Sequence, residues 1–278
     1  MKLWAIIEHT FREGLARKTI LGFFLISTFF LLIAILGALF TPDTIELQNP
    51  QGAAEQIKVF TDTDMLRQVQ AFLTGFINFA ALVLSIFATA SILPNTMEKG
   101  SIDLLLSKPV SSHEILAGKI AGSLLIVFLN IVYYIIGMWL IFGVRTGFWN
   151  MGFLAVTVSI TYTFVVLYGP MLVIGIASRS SALTIILLYV FLFLLSPILE
   201  GREAISQLAS SDALKTILDI VYYPLPKPDA LSNLSNNLVL NPASSWSSVI
   251  DFMPVWTSAL SALGFYTLAF YLFRKKDF

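Results

Sequence analysis

The sequence predicts an all-α integral membrane protein of six transmembrane helices, with an N-terminal interfacial helix, a short cytoplasmic helix and an outer helical segment between spans five and six. Three observations predict it. First, the stretches Thr19–Phe40, Ala71–Leu93, Ile120–Gly143, Met151–Ser178, Ala182–Leu199 and Met253–Phe273 contain no acidic or basic residue. Each is long enough to cross a hydrocarbon core of about 30 Å at about 1.5 Å per residue. Second, 57% of residues are hydrophobic and 12% charged, against about 25% charged in soluble domains. Third, the charges are sorted by sign. Eleven basic residues fall in the N-terminal segment, the loops after spans two and four, and the C-terminal tail, against six in the other three loops. Those three loops also carry most of the acid, from Asp43 to Asp251. Excess lysine and arginine marks the cytoplasmic side, so both termini are expected inside, as six spans require.

In order along the chain, residues 1–18 read as a helix lying on the inner membrane surface. Leu3, Ile7, Phe11 and Leu15 recur every four residues, with Trp4 beside them and Glu8, Arg12 and Glu13 off the stripe; a basic, tryptophan-containing amphipathic stretch suits an interface. The first apolar run reads as a retained span, because it is longer than a signal-peptide core and lacks a small-residue cleavage site. The first outer loop, Thr41–Gln70, is polar and moderately acidic, with room for a short helix leading into span two. Gly169-Pro170 predicts a kink in span four, since proline removes a backbone donor and crowds the preceding turn. Ser196-Pro197 predicts a bend at the end of span five. In the outer segment, residues 200–252, the apolar positions from Ile205 to Val221 have helical spacing. That predicts a helix on the outer leaflet. The proline-rich run from Pro224 to Pro228 and the Asn- and Ser-rich sequence beyond it read as an irregular connection. The whole chain, 1–278, reads as one transmembrane domain.

Catalytic and ligand chemistry is sparse. The only histidines, His9 and His113, lack a second ligand at metal spacing, and there is no cysteine for disulfide, thiolate or iron–sulfur chemistry. No ionisable group within a span offers a proton or ion relay. No phosphate-cradling Walker motif occurs, and no repeat relates the two halves as in inverted-repeat transporters. A formal net charge of zero gives no reason to expect a nucleic-acid partner. Catalytic, metal and cofactor sites are therefore not expected. Energy for active transport would have to come from another chain.

Two constellations remain. The loop Pro94–Lys119 reads as a short helix, a stop at Pro109 and a second helix start, where Ser111 and Glu114 form a capping-box pattern. Ile102, Leu105 and Leu106 make an apolar side opposite Glu98, Lys99, Asp103 and Lys108, the shape of a docking knob for a cytoplasmic partner. Gly118 and Gly122, four apart, permit close helix approach. In span two, Thr74, Asn78, Ser85 and Thr89 share one helix face, as a pathway lining, a dimer face or plain interhelical hydrogen bonding would require.

The run from Glu98 through Gly100, Asp103, Leu105, Leu106 and Pro109 to Val110, followed by Glu114-Ile115-Leu116-Ala117-Gly118-Lys119, resembles the motif of ABC-2 type transporter permeases. The likeness extends over the whole chain and is nearest to the single-domain bacterial subgroup that includes the permease of nitrous oxide reductase maturation. It implies a permease homodimer in the cell inner membrane, with ATP bound and hydrolysed by separate cytoplasmic ABC ATPase subunits. It also implies that Glu98, Gly100, Ile102, Asp103, Leu105, Leu106 and Pro109 form the ATPase-coupling helix, and that Thr74, Asn78, Ser85 and Thr89 face the pathway or the dimer axis. The expected function is an exporter's membrane subunit, with membrane lipids around it and an accessory protein as a further partner on the outer side. The alternative is a non-transporting membrane scaffold or immunity-type protein. The motif does not specify a substrate.

Overall fold

The computed structural model describes residues 6–8, 10–13, 18–40, 44–48, 54–58, 63–97, 111–209, 212–241 and 245–275. Among the described residues, six helical stretches are long and apolar enough to cross a membrane: Ile20–Phe40, Thr63–Thr96, His113–Thr146, Met151–Ser178, Ser181–Glu200 and Met253–Lys275. They coincide with the six predicted spans. Six crossings put the two termini on one face, called here the terminal face; the other is the distal face.

Among its described residues, helix α1 (Lys18–Phe40) buries the stripe Ile20, Phe23, Ser27 and Leu31, which faces α4. Leu21, Leu25, Phe29, Leu32 and Leu36 are exposed, as suits side chains facing lipid rather than water. Strands β1 (Thr44–Gln48) and β2 (Ala54–Lys58) form an antiparallel hairpin in register Thr44↔Lys58 to Gln48↔Ala54. The sequence reading did not anticipate this hairpin; five-residue strands carry a short period-2 signal that is easily read as polar loop. Helix α2 (Thr63–Thr89) begins well before the apolar run and is extended by the short α3 (Ile92–Thr96).

Helix α4 (Ser112–Thr146) starts with the predicted capping box: Ser111 Oγ accepts from the Glu114 amide, and the Glu114 carboxylate accepts from the Ser111 amide at 2.8 Å. Helix α5 (Met151–Ser178) is the hub of the bundle, with Phe153, Val156, Ile160, Phe164, Leu167, Tyr168 and Ile176 all buried. It runs unbroken through Pro170. In the turn that the proline disturbs, the Tyr266 hydroxyl donates to the Val165 carbonyl at 2.8 Å. Span five is composite: α6 (Ser181–Val190), a π turn (Phe191–Leu195) and α7 (Ser196–Glu200). The π turn immediately precedes the predicted Ser196-Pro197 bend. There the Ser196 amide reaches back five residues to the Phe191 carbonyl.

The outer segment departs from expectation. The predicted surface helix is two helices, α8 (Arg202–Ala209) and α9 (Asp212–Tyr222). The stretch read as irregular contains a regular helix, α10 (Pro228–Leu240), which packs between α2 and α5. Proline at its first turn fits a helix start, where its missing N–H would be unpaired in any case. Leu231, Ser235 and Val239 are fully buried. Gly152 permits the approach, for a methyl group there would run into the Leu238 carbonyl oxygen. The short α11 (Trp246–Val249) leads to α12 (Met253–Lys275), which lies along α5.

Candidate functional site

The sequence-predicted stripe of span two is buried inside the protomer. Thr74, Ser85 and Thr89 are 0% exposed and Asn78 1%. The same face carries Gln70, also 0% exposed. The chain's own α5 and α10 pack against α2. Two of the predicted residues spend their protons locally: Thr74 Oγ1 donates to the Gln70 carbonyl and Thr89 Oγ1 to that of Ser85, both at 2.7 Å. Such back-bonding satisfies a hydroxyl without a second helix.

Asn78 reaches across. Its Nδ2 donates to Ser235 Oγ on α10 at 3.4 Å, Ser235 Oγ donates to Ser159 Oγ on α5 at 2.8 Å, and Ser159 Oγ donates to the Leu231 carbonyl at 3.4 Å. This network couples three helices, and the Ser235 hydroxyl also lies 3.2 Å from the Leu231 carbonyl that Ser159 uses as an acceptor. Among the described residues, Asn78 Oδ1, Ser85 Oγ and Gln70 Nε2 are buried without a hydrogen-bond partner. Buried polar groups are nearly always paired, so this seam has capacity to take up a further polar group.

Asn150 closes the distal end. Its Oδ1 caps α5 by accepting from the Gly152 amide at 2.9 Å, while its Nδ2 donates to Gln70 Oε1 at 2.8 Å and to the Val239 carbonyl at 3.0 Å. At the other end of α10 a cavity of about 230 Å³ lies among α2, span five and α10, with Asn78, Asp229 and Ser232 as its polar lining and Phe79, Leu82 and Phe193 among its apolar lining. Ser196 Oγ donates to Asp229 Oδ2 at 2.5 Å.

Beside this cavity is a charged cluster that the sequence reading missed. Arg202 stacks on the Tyr222 ring with 3.7 Å from guanidinium carbon to centroid, and its Nε donates to Asp219 Oδ1 at 2.9 Å. The Tyr222 hydroxyl donates to Glu200 Oε2 at 3.3 Å. Lys227, 4% exposed, lies 4.6 Å from the same ring, and its amide donates to Ser258 Oγ within span six. Burial, then the Arg202 charge, lowers the Lys227 pKa; burial, then Glu200, raises that of Tyr222 to about 12. Spans free of ionisable groups therefore did not mean a bundle free of them. The returning segment carries Lys227 and Asp229 inward.

The proposed coupling residues Glu98, Gly100, Ile102, Asp103, Leu105, Leu106 and Pro109 lie outside the described residues. Both ends of their loop are anchored. Ile92, Leu93, Pro94, Thr96 and Met97 are buried on one side. On the other, Gly118 and Gly122 of α4 receive the helical N-terminal segment: a methyl group at Gly118 would overlap Ile6, and one at Gly122 would fall 2.7 Å from Thr10 Cβ. Lys119, 3% exposed, bonds Glu13 Oε2 at 2.6 Å. The glycine pair read from sequence thus has its partner in the N-terminal segment, where Ile6, Thr10 and Glu13 meet α4. Ser159, Ser235 and Asn150 were also missed. The available signal was Leu231, Leu234 and Leu238 at i, i+3 and i+7 after an N-terminal proline and an acid in the first turn.

A six-span bundle with a segment folded back between its second and fourth spans defines a membrane-embedded helical protein with a polar interior seam. Over residues 4–278 the sequence matches the family described as ABC-2 family transporter protein. The chain belongs to the ABC-2 transporter family, and is the membrane component of such a transporter. Comparison with curated proteins gives no match.

Proposed function

We propose that this chain is the permease subunit of an ABC exporter. Two copies form the pathway, each bound on its cytoplasmic side by a separate ATPase that supplies ATP binding and hydrolysis. The observation that carries this reading is the seam Asn78–Ser235–Ser159 with its unpaired neighbours Asn78 Oδ1, Ser85 Oγ and Gln70 Nε2. A purely structural bundle gains little from leaving such groups unpaired at the junction of three helices. A pathway that exchanges partners during each cycle needs them. The distribution of basic residues supports placing the termini in the cytoplasm of a cell whose inner membrane holds the complex.

In this reading the coupling helix is the segment Glu98–Pro109. Its apolar residues Ile102, Leu105 and Leu106 enter a groove of the ATPase, with Glu98 and Asp103 offering carboxylates to basic groups there; Gly100 and Pro109 shape its ends. Motion enters through the rigid ends of the loop. α3 carries it into α2, and the Gly118–Gly122 notch carries it into the N-terminal segment. Tilting α2 moves Thr74, Asn78, Ser85 and Thr89 relative to α10, and the seam opens toward the cavity at Asp229.

The test is co-purification with the partner ATPase. A complex of two permease and two ATPase chains is expected. The combined substitutions Glu98→Ala, Leu105→Ala and Leu106→Ala should abolish association, because truncated interface anchors commonly cost about 1–2 kcal/mol or more each. Normal association and normal coupled hydrolysis in that variant would remove the loop from the mechanism.

A further inference from the structure

The cavity of about 230 Å³ among α2, span five and α10 holds an acid at membrane depth, although none of the apolar runs carries one. Its α2 lining extends from Gly75 to Leu82, about 6–16 Å below the distal start of the apolar run at Ala71. Asp229 enters there on the returning helix α10. Ser196 Oγ donates to its Oδ2, and among the described residues no other side chain bonds it and no cation pairs with it. Lys227, two residues earlier, is turned away, its ammonium donating to the Tyr223 and Leu225 carbonyls, each at 3.4 Å. Beside Asp229 the lining offers Ser232 and Asn78, the latter 1% exposed with Oδ1 unpaired. At the mouth stand the rings of Phe79 and Phe193, both about half exposed, with centroids 5.5 Å apart. An acid in the first turn suits the dipole of α10, but a helix start alone needs neither the cavity around it nor the aromatic mouth.

We infer that this cavity binds the charged head of an organic monocation, an alkylammonium whose N–H groups bond Asp229 and whose apolar tail leaves between Phe79 and Phe193 toward the bilayer. As a substrate site it deepens, and rests on, the export reading above. Acids at membrane depth take a partner and mark substrate pathways. Among the described residues, none that lines the cavity is basic, so the counter-charge has to come with the ligand. Aromatic faces within about 6 Å attract a cation further. A metal ion is a poor alternative, for it takes several oxygen ligands, and among the described residues no group of three His, Cys, Asp or Glu comes together. A zwitterionic lipid headgroup would bring a phosphate beside its ammonium, with no basic group in the lining to receive it. The volume exceeds the about 30 Å³ of one water and falls short of the about 300–1,000 Å³ of pockets for whole drug-sized ligands. That suits the head of an amphiphile.

The probe is decylammonium with a diazirine near its charged end, added to the full chain in phosphatidylcholine nanodiscs, with adducts located by peptide mass spectrometry. Leu82 and Leu192 line the cavity and are buried, so adducts there report the site, while adducts on the exposed Leu25 and Leu36 report the lipid background. Decylammonium should label Leu82 and Leu192. Decanol with the same diazirine should label them about tenfold less, since a buried charge pair is worth at least a decade of affinity. Asp229→Asn should lower the ammonium labelling by the same factor, although its amide oxygen can still accept from Ser196. Ser196→Ala removes that bond, keeps the acid and should still be labelled. Gly75→Leu, where an added Cβ comes no nearer than 3.9 Å to Asn236 Nδ2, should fill the cavity and abolish the adducts. Adducts indifferent to Asp229→Asn, decanol labelling equal to that of decylammonium, or a diazirine phosphatidylethanolamine that labels both leucines and is equally lost in Asp229→Asn would each overturn the assignment. ATPase association is scored separately. Absent cation labelling with the ATPase still bound would remove the ligand class and leave the exporter reading standing; labelling as expected with no ATPase bound would keep the site and remove its role in export.

Discussion

Replacing Ser235 with alanine removes the middle group of the seam. Ser235 accepts from Asn78 Nδ2, and its proton is shared between Ser159 Oγ and the Leu231 carbonyl, so contacts to three groups are lost and no cavity larger than an oxygen atom is made. Ser159 keeps an acceptor in the Leu231 carbonyl. Asn78 does worse: its Oδ1 is already unpaired, and its Nδ2 loses Ser235. Interhelical hydrogen bonds in membrane proteins average about 0.6 kcal/mol and reach about 1.7, while a stranded buried polar group costs about 1–3 kcal/mol. The expected loss is about 1–3 kcal/mol. The discriminating measurement is a double-mutant cycle with Asn78→Leu, followed by reversible unfolding in mixed micelles. With the amide gone, Ser235→Ala should cost less, giving a coupling of about 1 kcal/mol. Coupling under about 0.3 kcal/mol, the level of independent sites, would show that the seam is not a connected unit. The argument for a partner-exchanging pathway would then fail with it.

Three further outcomes are expected. Gly122→Leu should displace the N-terminal segment from α4, because a methyl alone already comes within 2.7 Å of Thr10; the cost is about 1–3 kcal/mol, read as faster proteolysis ahead of Lys18, and unchanged proteolysis would refute the docking. Tyr222 should ionise near pH 12 rather than at its ordinary 10.0. The raised pKa means that the folded protein holds this proton more tightly than the unfolded chain, so the contribution to stability is present below pH 10 and lost as pH rises toward 12. Ultraviolet titration against Tyr222→Phe should show that step missing, and a difference centred at the ordinary value would contradict the buried stack. Single cysteines at Ser101 and at the exposed Ser248 should react with an impermeant reagent from opposite sides of the membrane; reaction from one side would break the six-span topology.

The spans were legible because each is a long charge-free run that only a bilayer accommodates. The Ser111–Glu114 cap was legible because it is a local, reciprocal pattern. The Gly118–Gly122 pair announced a close approach without naming its partner, since spacing specifies a notch but not what fills it. Helix α10 was not legible in the same way. Its serines and asparagines suit both a solvated loop and a buried helix, and the choice is made by Ser159, Asn78 and Gly152, which are 69 or more residues away in sequence. The span-two stripe was read correctly as one face. Its covering by α5 and α10 could be known only once α10 was known to return.

The π turn in span five corrects a phase. The buried residues of that span are Thr184, Leu188, Leu192, Ser196 and Leu199, nearly all four apart. On an α-helix a spacing of four drifts by about 40° at each step, because a turn holds about 3.6 residues. Over three steps the stripe would wander about a third of the way round the cylinder. The wider turn at Phe191–Leu195 takes up the excess and returns Ser196 to the line, where it meets Asp229. Deleting one residue from that turn would leave the span apolar and membrane-spanning, yet rotate Ser196 and all beyond it by about 100°. The latch between span five and the returning helix is thus held by a surplus residue, one that hydropathy alone would count as interchangeable with its neighbours.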